Sequence, residues 1–276
     1  VKPARLIVAV LLLGIVGWSV GFEPGWLQQR ELRLAAPEWT GRPLRIAVAA
    51  DFHVGAPHAG LAMLRRVVRE INAAHPDLIV LPGDFVIQGI LGGQPVAAEV
   101  IAGELGRLSA PLGVFATLGN HDWWLDGERM RKALAAVGIR VLENQALPLP
   151  DADRPLWLAG IGDDMTDHAD PKKAFAGVPA DAKLIVIMHD PANAPALPPQ
   201  TVVAFAGHTH GGQVRLPWIG ALITPGRSSR RHAWGWIPDA PAPTWVTAGI
   251  GTSIFPIRFN CPPEIVILQV DGPDKS

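Results

Sequence analysis

Five short blocks of this sequence carry side chains suited to holding metal ions. They are Asp51-Phe52-His53, Gly83-Asp84, Gly119-Asn120-His121-Asp122, His189-Asp190 and Gly207-His208-Thr209-His210. Imidazole nitrogens with carboxylate or amide oxygens suit borderline-to-hard divalent ions, and the one cysteine, Cys261, lies outside the blocks. Each block follows an apolar run that reads as a strand, and the carboxyl ends of strands in an α/β sheet are where ligands bind. On extended backbone, residues i and i+2 share a side, so Asp51 with His53, and His208 with His210, are each expected to grip one metal centre together. Gly83, Gly119 and Gly207 are expected to let the chain turn sharply before a ligand. One buried histidine or one Gly-Asp turn means little. Five such blocks at one edge of a sheet gather more costly polar groups than fold stability requires.

The hydrophobic pattern supplies the elements that must position these blocks. Strands are predicted over 45–50, 78–81, 114–118, 156–159, 184–188, 202–206, 245–248 and 264–270, with a candidate edge strand over 31–34. Helices are predicted over 61–74, where Leu61, Leu64, Val68 and Ile71 share a face, over 96–108, and over 128–137, which Gly138 stops. Strand–helix alternation followed by strands joined through Pro- and Gly-rich loops implies an α/β fold, a layered αββα sandwich. The chain divides into an N-terminal anchor (1–22), a connector (23–44), the main domain (45–271) and a tail (272–276).

The anchor is read from Lys2 and Arg5, which precede an uncharged run of 17 residues over 6–22. That is the short end of what crosses a hydrocarbon core of about 30 Å. Trp18 and Trp26 suit the interface. No small-residue cleavage site follows in Gly17-Trp18-Ser19-Val20-Gly21-Phe22, which favours an uncleaved anchor over a signal peptide. Apolarity on all sides favours lipid over a one-faced core helix. The basic flank puts the N-terminus in the cytoplasm and the domain outside it, in the inner membrane; an in-plane segment with a cytoplasmic domain is the competing arrangement. The 276 residues are 49% hydrophobic and 18% charged, which excludes a disordered chain. A single cysteine excludes an internal disulfide framework. A net charge of -1 argues against a nucleic-acid binder, and no obligate protein partner is evident.

The ordered motifs D-x-H, G-D, G-N-H-D, H and G-H-x-H resemble those of the calcineurin-like metallophosphoesterases, over about residues 45–270. Gly207-His208-Thr209-His210-Gly211-Gly212-Gln213 and Cys261-Pro262-Pro263-Glu264-Ile265 look like the membrane-associated bacterial branch. That branch holds exported phosphodiesterases and UDP-2,3-diacylglucosamine pyrophosphatases of lipid A synthesis. The resemblance implies that Asp51, His53 and His210 hold one metal, Asn120, His189 and His208 a second, and that Asp84 bridges both. It implies Mn, Zn or Fe, with Mn or a mixed pair favoured. His121 would face the substrate and protonate the leaving oxygen, and Asp122 would orient it. Two metals about 3.5–4 Å apart can clamp the attacking and leaving oxygens of an in-line displacement.

One departure is Phe85-Val86-Ile87, where many relatives carry an acid or amide shortly after Gly-Asp. The implied activity is hydrolysis of a phosphodiester or pyrophosphate bond, on a small-molecule, lipid-linked or nucleotide-lipid substrate. A phosphomonoesterase or protein phosphatase, and a non-catalytic metal-binding module, are the alternatives. A zinc peptidase lacks support, because no H-E-x-x-H helix is present. Trp123-Trp124 form either a wall for a base or acyl chain or ordinary packing. Arg227, Arg230 and Arg231 with Trp234 and Trp236 form either a phosphate- or headgroup-gripping loop or a solvated one. The loop holding Asp163, Asp164 and His168 either borders the site or is solvated.

Overall fold

The computed structural model describes residues 3–37, 39–151 and 154–272; Lys2 and residues 273–276 of the expected tail lie outside them. In chain order the elements begin with α1 (Pro3–Gly17), β1 (Gln28–Ala35), β2 (Leu44–Val48), α2 (Leu61–Ala73), β3 (Leu78–Pro82) and α3 (Ala98–Leu105). They continue with β4 (Val114–Thr117), α4 (Asn120–Ala136), β5 (Arg140–Val141), β6 (Gln145–Pro148), β7 (Leu156–Ile161), α5 (Pro171–Ala174) and β8 (Lys183–Met188). The last are β9 (Thr201–Ala206), β10 (Arg215–Leu216), β11 (Gly220–Ala221), β12 (Gly235–Trp236), β13 (Thr244–Val246) and β14 (Glu264–Asp271).

Twelve of these strands form two six-stranded sheets. The first has the order β1-β14-β2-β3-β4-β5; only the β14–β2 pair is antiparallel. The second has the order β12-β13-β9-β8-β7-β6, with antiparallel pairs at its two margins. Alternation along β2 explains the layering. Leu44, Ile46 and Val48 enter the layer between the sheets, against Val80, Phe115, Ile187, Phe205 and Leu268. Ala47 faces the other way, into the core shared with Leu64, Val67 and Ile71 of α2, Ile101 of α3 and Leu134 of α4. The outer face of the second sheet packs Ala159, Val186 and Ala204 against Ala174 and Ala194. The fold is thus the αββα arrangement expected.

Several elements differ from the expectation. The edge strand runs from Gln28 to Ala35, because all eight residues pair in register with Glu264 to Asp271 of β14. The helix predicted over 128–137 starts eight residues earlier, at Asn120, and is kinked at Asp126 (φ -171°, ψ 80°). The kink and the adjacent Gly127 break the periodicity that would have revealed its first turn. Asn120, His121 and Asp122 therefore sit on a helix N-terminus, with Leu118 and Gly119 between it and the end of their strand. The two- to four-residue strands β5, β6, β10, β11 and β12 are too short to show a period.

At the N-terminus, α1 continues through tighter and wider turns into one helical segment, Pro3–Gly25, of 23 residues. By length and composition it can cross a membrane, and it is longer than the 17-residue apolar run suggests. Leu6, Leu11, Leu13 and Val16 are exposed along it. Its base is tied to the domain: the Ser19 carbonyl accepts from Arg258 N (2.9 Å), and Glu23 accepts from Cys261 N and the Trp18 indole.

Candidate metal centre

Strands β2, β3 and β4 are mutually parallel, as are β8 and β9, so each set delivers its carboxyl ends to one edge. The five blocks follow these ends. Three come from the first sheet and two from the second, so the edge is that of the whole sandwich and not of one sheet, as the sequence suggested. Loop-to-loop bonds hold the blocks together: Asp51 N donates to Gly83 O (2.9 Å), His53 N to Asp84 O (3.1 Å) and Gly207 N to His189 O (3.0 Å).

Two groups of donors result. Asp51, His53, Asp84 and His210 each offer one ligand atom within 4.8 Å of the others, and Asp84, His189 and His208 do the same. Asp84 belongs to both groups. Its Oδ2 lies 3.5 Å from His53 Nε2 and 3.2 Å from His189 Nε2. His53 Nε2 is 3.1 Å from His210 Nε2, while His189 Nε2 is 3.1 Å from both His208 Nδ1 and Asn120 Oδ1. His53 Nδ1 donates to Val86 O (3.1 Å) and His189 Nδ1 to Pro82 O (2.7 Å). A carbonyl only accepts, so these bonds put a proton on each Nδ1 and turn both Nε2 atoms inward.

The pairing expected from i, i+2 spacing holds for Asp51 with His53 but not for His208 with His210, which fall in different groups. The backbone gives the reason. Asp51, His53, Asp84, His208 and His210 are not extended; their φ angles are 51°, 40°, 56°, 69° and 52°. The left-handed conformation belongs to the donors themselves. Gly83 shares it (φ 82°), but Gly119 (φ -104°) does not, and its role is space. A Cβ there would lie 2.2 Å from Asp84 Oδ1, and one on Gly207 2.7 Å from Asp51 Oδ2.

The donor set fits divalent metal. Asp51 Oδ2, His208 Nε2 and His210 Nδ1 are buried with no hydrogen-bond partner, and His53 and His210 meet Nε2 to Nε2 at 3.1 Å. Burial pushes the His53 imidazole down to about 3. Burial, with His189 beside it, pushes His208 down to about 4, and burial with His53 holds His210 well below the usual range. These rings are therefore neutral at pH 7, as metal ligands must be. Burial pushes the Asp51 carboxyl up to about 7 against the pull of His189. For Asp84, burial is outweighed by His189, His53 and His121, which hold it well below the carboxylate range. Burial also opposes the charged form of His189, but Asp84, Asp51 and Asp163 hold that ring well above the usual range.

His121 sits edge-on to His53 at 4.7 Å and against Trp124 at 5.1 Å, and its Nδ1 has no hydrogen-bond partner. Asp122 does not orient it, which corrects the expectation. Asp122 Oδ2 accepts from Gly119 N (3.0 Å) and Asp84 N (2.9 Å), and its Oδ1 from Phe85 N (2.9 Å) and Val86 N (3.2 Å). The carboxylate clamps the Asp84 loop to the start of α4. Its side chain reaches back to cap the helix, a reason invisible in sequence without knowing where α4 begins.

Phe85 stacks on Phe52 (5.5 Å) and Val86 supplies the carbonyl for His53, so the apolar departure packs beneath the centre. Trp123 stacks on His168 (3.8 Å, 10°), and Asp163 is buried close enough to bias His189, which brings that loop to the site's border. In the arginine loop, Arg227 pairs with Asp164 (3.9 Å) and Ser228 donates to Asp190 (2.8 Å). Sequence reasoning put Asp190 in the fourth block without a role, where its Oδ2 is 3.7 Å from His208 Nε2, and missed Arg258. Fully buried Arg258 donates to the carbonyls of Ala248, Gly251 and Cys261 and braces the loop behind Asp51. Asp190 was signalled by its place beside His189; Arg258 carried no signal.

Residues 44–212 match the calcineurin-like phosphoesterase family. The chain is 29% identical to phosphodiesterase YaeI of Escherichia coli, covering 90% of each. It is 30% identical to the uncharacterized metallophosphoesterase YkuE of Bacillus subtilis, over 82% of this chain and 78% of that one. It is 27% identical to UDP-2,3-diacylglucosamine pyrophosphatase LpxG of Chlamydia muridarum, over 91% and 92%. In fold alone it resembles Haemophilus influenzae NAD nucleotidase (TM-score 0.50, 14% identity, 75% of this chain and 45% of that chain).

Asp122→Asn would turn an –NH₂ toward two backbone N–H groups. It is expected to lower stability by about 1–3 kcal/mol and to reduce retained metal, measured by chemical unfolding and elemental analysis. Unchanged stability, with activity lost only on poor leaving groups, would restore the role of orienting His121.

Proposed function

The chain belongs to the calcineurin-like phosphoesterase family and is a phosphoester hydrolase, and from that premise we propose that it is a membrane-anchored, dinuclear-metal enzyme cleaving a phosphodiester or pyrophosphate bond. The observation that carries this reading is the sharing of Asp84 by two buried donor groups. Asp51, His53 and His210 would hold one ion, Asn120, His189 and His208 the other, and Asp84 both. The N/O donor set suits Mn, Zn or Fe. When bound, such ions supply Lewis-acid polarisation of the phosphoryl oxygens and acidify water.

The remaining steps belong to the protein. His121 Nδ1, unpartnered and buried beside the centre, delivers a proton to the leaving oxygen. Burial lowers its basicity in the free protein; a phosphate anion beside the ring would favour the imidazolium. Asp122 keeps Asp84 in place. Exposed Trp124 against His121 offers an apolar wall to the leaving group.

The exposed apolar helix Pro3–Gly25 and the pyrophosphatase relative support a lipid-linked or nucleotide-lipid substrate. Segment 1–22 would anchor domain 45–271 in the inner membrane, with the centre on the extracytoplasmic side, as the basic Arg5 flank suggests.

His121→Ala is expected to retain both metals and lose turnover, and to lose less on a p-nitrophenyl phosphodiester than on an alkyl one, since a good leaving group needs little protonation. Equal losses on both would remove the acid role. Wild-type assays should show activity abolished by a chelator, restored by Mn, Zn or Fe, and higher on diesters or pyrophosphates than on monoesters. For orientation, a C-terminal alkaline phosphatase fusion is expected to be active in cells; an inactive fusion beside a fluorescent cytoplasmic-type one would put the domain in the cytoplasm.

A further inference from the structure

The β10–β11 hairpin has no role in the donor cluster, yet it carries an exposed apolar tip. Trp218 is fully exposed (103%), and Ile219, Leu222 and Ile223 beside it are also exposed. Trp218 and Ile219 line a cleft of about 700 Å³ together with Arg215, Arg230 and Arg231. Among the described residues, none of these three arginines has a carboxylate partner; Arg215 and Arg230 instead donate to the carbonyls of Gly211 (3.1 Å) and Leu222 (3.4 Å). Arg215 also lies over the Trp234 ring (5.2 Å). An apolar tip beside three arginines without carboxylate partners is an unusual surface to leave facing water.

The hairpin is joined to the base of the N-terminal helix by a continuous strip of backbone. Arg258 N bonds to Ser19 O, and Cys261 N to Glu23. Next along the same loop, Arg215 N bonds to Phe259 O (2.9 Å), and Val214 bridges to Phe259. The loop also exposes Ile254 and Phe255, and Leu91 N bonds to Ile254 O (3.0 Å). Cys261 Sγ donates to the carbonyl of His210, a donor of the metal centre (3.4 Å). Helix base, apolar loop, hairpin and centre are therefore tied to one another through a single loop.

The length of the anchor helix says what covers that loop. Between charged Arg5 and the docking point at Ser19 lie 13 uncharged residues, 6–18. At about 1.5 Å per residue they span about 20 Å, short of a hydrocarbon core of about 30 Å. A helix that fills the core can do so only if the surface bonded to Ser19 is drawn into the interface. Ile254 and Phe255 on that surface, and the hairpin tip beside it, are apolar where this requires it.

We propose that the β10–β11 hairpin is a second membrane contact: Trp218, Ile219, Leu222 and Ile223 enter the bilayer interface, and Arg215, Arg230 and Arg231 hold the phosphates of anionic lipids. This rests on the anchor reading above and deepens it. The hairpin fixes the rotation of the domain about its anchor, so that the metal centre faces the headgroup layer and takes substrate from it. Aromatic residues favour the headgroup level, and basic residues beside them are attracted to anionic lipid.

The test uses the full chain in phosphatidylcholine vesicles with or without phosphatidylglycerol, carrying a fluorophore on one introduced cysteine: Leu11→Cys in the helix, Ile219→Cys at the tip, or Asp181→Cys at the opposite edge of the sandwich. Native Cys261 is buried. Lipids brominated in their acyl chains should quench the labels at 11 and 219, that at 219 by at least about twofold more than that at 181. Quenching at 11 with no more at 219 than at 181 would overturn the hairpin contact and leave the anchor standing. Quenching at 219 alone would keep the hairpin contact and remove the anchor; quenching at neither would remove both. Arg230→Gln with Arg231→Gln should reduce quenching at 219 in vesicles containing phosphatidylglycerol and leave it unchanged in phosphatidylcholine. An equal response in the two lipids would overturn the lipid-phosphate role of the arginines.

Discussion

The structure is organised around one buried carboxylate. Asp84 is withdrawn from water, yet it has imidazoles of both donor groups within about 3.5 Å and accepts the backbone N–H of His121. Burying an anion is expensive unless it is paired and hydrogen-bonded. The His189 ring, whose Nε2 lies 3.2 Å from Asp84 Oδ2, is that partner. His53, His208 and His210 stay neutral, and His208 Nε2 and His210 Nδ1 have no hydrogen-bond partner. A site arranged this way stores an uncompensated demand for positive charge, which divalent cations meet.

Meeting that geometry strains the backbone. Five donors adopt left-handed conformations that cost non-glycine residues about 1–3 kcal/mol each, together comparable with the whole net stability of a domain, about 5–15 kcal/mol. The scaffold offsets this with hydrogen bonds. Asp122 takes four backbone N–H groups from the Asp84 loop and the α4 start, and Arg258 supplies carbonyl partners behind Asp51. Glycines at 119 and 207 leave the room that a Cβ would fill. Two sheets, each parallel where it matters, bring strands far apart in sequence to a common edge.

Much of this was legible in the sequence. Strands β3, β4, β8 and β9 carry apolar runs and β2 and β14 largely apolar ones, broken by Arg45 and Gln269, because both faces are buried, and a donor block follows each of β2, β3, β4, β8 and β9. Residue spacing misled where backbone conformation intervened: His208 and His210 look like one bite but turn to different partners, because neither is extended. Asp122 looked like an imidazole partner because sequence shows neighbours and not which atoms a helix start leaves in need of acceptors. Arg258 and the β10–β11 hairpin were invisible for the opposite reasons. The first works only through carbonyls brought together by tertiary folding, and the second is too short to show a period.

The account depends on two ions sharing Asp84, and elemental analysis of folded protein tests that most directly. Wild-type chain loaded with Mn, Zn or Fe and passed through a desalting column should carry two ions. His210→Ala, which touches one donor group, should retain one, and Asp84→Ala, with circular dichroism confirming its fold, should retain none. An Asp84→Ala protein that still held two tightly bound ions would contradict the shared-carboxylate centre.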